Sequence, residues 1–381
     1  MLTPAQNPRG LANKTFILDQ SEFFIAVAGC ASRGNLSRYS LYDNRFRSIL
    51  VLLEIANKNR EFPVKYGSTM TTIPTTNQLE QRRNLLELGN SACRRKAKRA
   101  FRKYLWMISN LPGEKKNGLY ALLAFLVRLD DYLEIDSPIG LSVPVWSELR
   151  DELSDAFAGR GSPSETVALV HACDRYQVPR QFLFDVLEGV DTWIRHRGFE
   201  SYDDLLVFAY RLGGAPMIAA AQIGGVVKPG FEELAIKAGQ ALFLTNLLAN
   251  LVADVKLNQV FMARNDLATT GASLHRIKLR QPHPELRHLV RLYGARADQL
   301  LHQAGQLTEF LDYDATRSFK SLMALAWSML IKMRINPEIV LDPAGVLTRR
   351  ELLSLRFRHF LGLEGNNAPL EFSGGDHQVP H

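Results

Sequence analysis

The stretch Asn246-Leu-Leu-Ala-Asn250-Leu-Val-Ala-Asp254 (NLLANLVAD) lies in the most apolar run of a 381-residue chain. Residues four and eight apart share a face of an α-helix, so Asn246, Asn250 and Asp254 form an oxygen-bearing stripe bordered by Leu, Val and Ala. A polar group taken out of water without a partner costs roughly 1–3 kcal/mol. Another side chain, a water or a cation can meet that need.

Outward from this stretch the chain reads as helix almost throughout. Apolar residues recur at three and four over residues 44–58, 80–109, 115–135, 143–158, 163–173, 179–196, 202–224, 230–261, 284–310, 315–334 and 348–361, and nowhere does a long strand-like alternation appear. Breakers agree with this: Ser137-Pro138, Gly159 to Pro163, Val178-Pro179, Lys228-Pro-Gly230, Gln281 to Pro284 and Asn336-Pro337 fall between the periodic segments. Ser162 with Pro163 and Glu165 predicts a helix start capped by Ser162. The fold class expected is all-α. Three parts are expected: an N-terminal extension over 1–85 that closes on the polar stretch 68–76, a helical domain over 86–362, and a flexible tail over 363–381.

Bulk properties narrow the function. With 46% hydrophobic and 22% charged residues, the composition is that of a soluble globular chain. The net charge of +7 suits an anionic surface or phosphorylated small molecules as well as nucleic acid, and the basic runs Arg94 to Arg99 and 276–291 read as solvated helix faces. Cys30, Cys93 and Cys173 follow no disulfide or zinc-ligand spacing, which points to a reducing compartment. No secretory leader is read at the start. The apolar segments 205–227 and 235–251 are interrupted by Arg211, Lys237, Asn246 and Asn250, so they read as core helices of a cytoplasmic protein. His171, His196 and His275 have no metal-ligand spacing, and neither a Gly-x-Ser-x-Gly elbow nor a dinucleotide loop in strand context occurs.

A second oxygen cluster ends the apolar helix 119–134. Asp130, Asp131 and Glu134 crowd carboxylates at a helix C-terminus, where they repel one another and oppose the macrodipole. An exposed helix end would relieve the crowding, and so would a cation. Hard oxygen donors suit Mg2+, which takes one or two carboxylates and completes its shell with waters and substrate phosphates. A DDxxE helix facing an N-xxx-N-xxx-D helix is the pair expected of a diphosphate–metal site.

The motifs resemble those of the squalene/phytoene synthase family over roughly residues 90–275. Ala124-Phe-Leu-Val-Arg-Leu-Asp-Asp-Tyr-Leu-Glu134 is similar to its Ala-x-x-Arg-x-x-Asp-Asp-x-x-Asp helix. The blocks 176–189 and 199–214 resemble its Glu-Gly-Met and Tyr-Arg-Val-Ala-Gly regions, and 239–254 its Gly-x-Ala-Leu-Gln-Leu-Thr-Asn-Ile-Leu-Arg-Asp-x-x-x-Asp segment. The resemblance implies an isoprenoid synthase fold, helices bundled around a central apolar cavity, and a Mg2+-dependent prenyl transferase that condenses prenyl diphosphates. Asp130, Asp131 and Asp254 are then the catalytic carboxylates. Asp130, Asp131 and Glu134 on one wall and Asn246, Asn250 and Asp254 on the other are the implied metal ligands. Arg128, Arg211 and Lys256 would meet diphosphate oxygens, and Tyr120 and Tyr210 would line the prenyl cavity. Arg211 has a plainer alternative, pairing with Asp203 or Asp204.

Several positions depart from the family pattern. Glu134 stands for Asp, Leu123 for Tyr, Val127 for Arg, Ala249 for Arg, Asn250 for Asp, Phe243 for Gln and Trp193 for Asp, while Asn258 to Ala263 replaces Gly-Arg-x-Tyr-Leu-Pro. Asn250 keeps a carbonyl oxygen and sheds a charge. Two alternatives therefore stay open: a class I terpene cyclase acting on one prenyl diphosphate, whose triad has the same spacing, and a non-catalytic member that holds a lipid or a partner helix. The expected partners are a prenyl diphosphate and, peripherally, a membrane surface, with no nucleic acid; chain length of the substrate and oligomeric state do not follow from sequence.

Overall fold

A computed structural model of the chain describes residues 76–135, 142–195 and 198–363. The expected helix over 44–58, Cys30, most of the N-terminal extension and nearly all of the tail lie outside these residues, as does His196. The helices are α1 (Thr76–Phe101), α2 (Gly113–Ile135), α3 (Ser142–Phe157), α4 (Ser164–Tyr176), α5 (Arg180–Ile194), α6 (Tyr202–Ala209) and α7 (Ala215–Gly225). They continue with α8 (Glu232–Lys256), α9 (Arg264–Thr270), α10 (Leu274–Lys278), α11 (Pro284–Ala304), α12 (Tyr313–Ile335), α13 (Pro343–Val346) and α14 (Arg349–Phe360). Among the described residues there is no strand, only an isolated bridge between Val226 and Leu311. The all-α expectation is correct.

Three local expectations need correcting. The helix read over 80–109 stops at Phe101 and gives way to a 3-10 turn, Leu105–Ile108, because Trp106 and Met107 turn inward to build a small cluster with Leu325. Helix α4 begins at Ser164, with Pro163 as its N-cap in an extended conformation; the Ser162 hydroxyl donates to the Glu152 and Arg160 carbonyls and caps nothing. The segment 202–224 is not one helix, since a π-turn, Tyr210–Gly214, separates α6 from α7. Helices α9, α10 and α13 are too short to have shown a period. Helix α1 passes through the boundary expected at 85/86 without a break.

Helix α8 is the axis of the molecule. It is buried on nearly every side and packs against α11, the π-turn, α7 and α12. Its approach to the π-turn is backbone on backbone: a Cβ on Gly239 would stand 2.2 Å from the Gly213 carbonyl carbon, and one on Gly214 would stand 2.9 Å from the Ile236 Cα. Only glycine permits this contact. Residues 202–225 and α8 are each long and apolar enough to cross a membrane by length and composition, yet most of each is buried inside this fold. Cys93 and Cys173 are buried free thiols, and desolvation pushes both up to about 12.

Candidate active site

An apolar cavity of about 190 Å³ opens beside α8. Leu119, Leu122, Leu123 and Leu126 of α2 form one part of its wall; Leu212 and Gly213 of the π-turn, Met217 and Ala220 of α7, Leu242 of α8 and Phe319 and Leu322 of α12 form the rest. Among the described residues Tyr104 and Ser318 are its only polar side chains. Apolar linings of this kind suit apolar ligands.

Both motif helices contribute to this wall, and in both the motif follows the lining residues. Positions 130 and 134 fall one and two turns beyond Leu126 on α2; Asn246 falls one turn beyond Leu242 on α8. The side chains of Asp130, Asp131 and Glu134 lie outside the described residues. Among the described residues no cluster of three His, Cys, Asp or Glu side chains occurs.

The α8 stripe is described in full. Asn250 is 1% exposed, and neither its Oδ1 nor its Nδ2 meets a hydrogen-bonding protein group. Asn246 and Asp254 are half-buried. Desolvation raises the Asp254 carboxyl well above the usual carboxylate range. Thr245 instead satisfies its hydroxyl on the Ala241 carbonyl, one turn back on the same helix. An oxygen donor set with a buried, unpartnered carbonyl and a desolvated carboxylate fits a hard divalent cation.

Two of the three cationic candidates, Arg128 and Arg211, have partners that sequence reading missed. Arg128 forks onto Glu152 of α3, with its Nη1 and Nη2 atoms 2.6 and 2.5 Å from the two carboxylate oxygens, and the Thr166 hydroxyl also bonds Glu152. Burial pushes the Glu152 carboxyl up, but hydrogen bonds from Arg128 and Thr166 together with the Arg128 charge outweigh it, and the group sits below its ordinary value. Arg211 pairs with Glu188 (3.1 Å) and donates to Thr192, both on α5, while its Nε is buried and unpartnered. Lys256 is half-buried at the end of α8; desolvation, then the charge of Arg280, lowers its ammonium from the ordinary value.

Tyr120 and Tyr210 are buried, and neither lines this cavity. The Tyr210 hydroxyl donates to Asp185 Oδ2 (2.8 Å), whose other oxygen accepts from Gln181 (2.7 Å). Asp185 is 3% exposed. The i,i+4 spacing of Gln181 and Asp185 was the only sequence signal for this network.

Three departures from the family pattern meet in space. Phe208 of α6 packs against Trp193 (ring centroids 6.2 Å apart), Phe243 (5.7 Å) and Phe261 (5.8 Å, stacked), and Trp193 also meets Phe261 edge-on at 4.8 Å. Residues 193, 243 and 261 come from three separate segments.

Comparison with known proteins agrees with this architecture. The family model described as squalene/phytoene synthase matches residues 97–355. A phytoene synthase of Mycobacterium tuberculosis is 25% identical over 246 residues, spanning 64% of this chain and 81% of that protein. Phytoene synthase 1 of Arabidopsis thaliana is 22% identical over 62% of this chain and 56% of its own length. Among solved structures, a dehydrosqualene synthase in complex with ligand superposes with a TM-score of 0.66 at 19% identity, over 75% of this chain and 99% of that one. A squalene synthase from Alicyclobacillus acidocaldarius gives 0.60 at 20% identity, over 66% and 94%.

Proposed function

Because the chain belongs to the squalene/phytoene synthase family, we propose that it is a Mg2+-dependent prenyl transferase that condenses prenyl diphosphates with release of diphosphate. The observation that carries this reading is Asn250: an amide with no protein partner, buried on the helix whose Leu242 lines an apolar cavity.

Asn246, Asn250 and Asp254 would offer oxygens from α8, and Asp130, Asp131 and Glu134 would offer carboxylates from α2. Magnesium held there would supply positive charge to the diphosphate oxygens, so that the allylic carbon–oxygen bond breaks with its electron pair leaving on diphosphate. The leucines of α2 and the small residues of α7 would hold the prenyl chain and exclude water from the cationic carbon. Lys256 is the described cation best placed on α8 to meet a diphosphate, since Arg128 and Arg211 are engaged with Glu152 and Glu188.

A single-substrate reaction is the second reading, and Asn250 favours it: an uncharged amide keeps an oxygen at the spacing of a class I cyclase triad, where the condensing family pattern has a carboxylate. Incubating the full chain with Mg2+ and C10 to C20 prenyl diphosphates separates the readings. Release of diphosphate with a product of two joined prenyl units supports condensation. A product of one unit supports cyclisation, and no release with any substrate leaves only a non-catalytic role, holding a lipid or a partner helix. Asp131→Ala and Asp254→Ala are each expected to abolish turnover in a folded protein; unchanged rates remove that residue from the site.

A further inference from the structure

Helix α14 carries two unlike faces. Its inner face, Leu352, Leu355 and His359, packs on the small cluster of Trp106, Met107 and Leu325; His359 is 2% exposed, bonds the Ser321 hydroxyl at 2.7 Å and lies edge-on to Trp106 at 5.3 Å. Met107, Tyr104 and Leu322 of that region also line the apolar cavity. The helix is thus a cover laid over one wall of the cavity.

Its outer face is apolar and uncovered among the described residues. Leu353, Phe357 and Phe360 follow one another at helical spacing on the side opposite His359, and Leu361, Leu363 and Tyr313 extend the patch; all six are 54 to 75% exposed. Arg350 and Arg356 are exposed on its flanks. The one acid of the helix, Glu351, is turned to Lys332 and to the Thr348 cap, so among the described residues of the helix the outer face carries arginines and no free carboxylate.

We infer that the outer face of α14 docks on an anionic lipid bilayer, with Leu353, Phe357 and Phe360 inserted at the headgroup boundary and the arginines meeting lipid phosphates. Charge complementarity selects this occupant. A second copy paired about a two-fold axis would bring the same arginines together, at a repulsive cost. The docked helix would set the cavity wall against the bilayer, a direct path for an apolar molecule. The inference is independent of the reaction proposed above, since it needs no substrate.

Co-sedimentation of the full chain with vesicles tests it. Binding to vesicles of phosphatidylcholine with phosphatidylglycerol is expected to exceed binding to phosphatidylcholine alone by about tenfold, and to weaken with added salt. The double variant Phe357→Ser/Phe360→Ser should lose about tenfold in bound fraction with an unchanged melting temperature, and Arg350→Glu/Arg356→Glu should lose the preference for anionic lipid. Failure of the unmodified chain to sediment with anionic vesicles would overturn the inference, as would undiminished binding of the Phe variant. A Phe variant that melts lower would show the face covered by the chain's own segments, and one that turns a dimer into a monomer would assign it to a second copy; either result also overturns it.

Discussion

Gly239 of α8 rests on Gly213 of the π-turn so closely that the space between them admits no side chain at 239: a Cβ there would lie 2.2 Å from the Gly213 carbonyl carbon and 2.3 Å from its oxygen. Both contacts are with backbone, which has no rotamer to escape into. Gly239→Ala is expected to destabilise the fold by about 3 kcal/mol or more, since overpacking a rigid contact forces whole elements apart. Gly294 of α11 offers the control, because a Cβ there meets nothing within 4 Å. Gly294→Ala should stabilise by about 0.5–1 kcal/mol. Urea unfolding of both variants checks the pair, and a neutral Gly239→Ala would contradict the close approach.

The unpartnered amide of Asn250 predicts opposite effects on stability and turnover. Replacing it with Leu, which has the same number of side-chain heavy atoms and the same branching, removes two unsatisfied buried groups and is expected to raise metal-free stability by about 1–3 kcal/mol. The same change removes a proposed oxygen ligand, so diphosphate release should fall to background. Loss of stability in Asn250→Leu would mean that the amide has a structural partner.

A bound divalent ion should also register without chemistry. Mg2+ at about a hundredfold excess over its Kd is expected to stabilise the unmodified chain by about 2.7 kcal/mol, read as a rise in melting temperature. Asp254→Asn should abolish that rise. The desolvated carboxylate it removes is costly to keep charged, so the variant's melting temperature in the absence of metal should be no lower than that of the unmodified chain.

The Arg128–Glu152 fork predicts an acid-sensitive contribution to folding. Both side chains are largely buried, so Arg128→Ala leaves a stranded carboxylate and is expected to cost about 3 kcal/mol. Glu152 is held below its ordinary pKa in the folded state, so its contribution is complete above the unfolded value of about 4.3 and is lost as pH falls below that toward the folded value. Stability measured from about pH 6 to pH 3 should decline less steeply in Glu152→Gln than in the unmodified chain. Parallel slopes would show that the fork carries no linked proton.

Much of this molecule was legible in its sequence, because helical periodicity is a local property. Amphipathic spacing located the long helices to within a few residues, the apolar run around 246–254 read as core, and four motif blocks in order indicated the family. The same local reading failed where tertiary packing overrode periodicity: at the 3-10 turn of Leu105–Ile108, pulled inward by Trp106 and Met107, and at the π-turn Tyr210–Gly214, which lets the backbone of α8 approach.

What the tertiary structure alone decided is which faces meet. No spacing in the chain connects Arg128 to Glu152 or Arg211 to Glu188, and none brings Trp193, Phe243 and Phe261 around Phe208. A helix sequence states which residues share a face but not the rotation and neighbour that determine what the face touches. Ionic and aromatic partners distant in sequence therefore emerge only when the helices are packed. The sequence set out the oxygens of Asn246, Asn250 and Asp254 along one stripe; packing buried Asn250 without a partner and left its two neighbours half open.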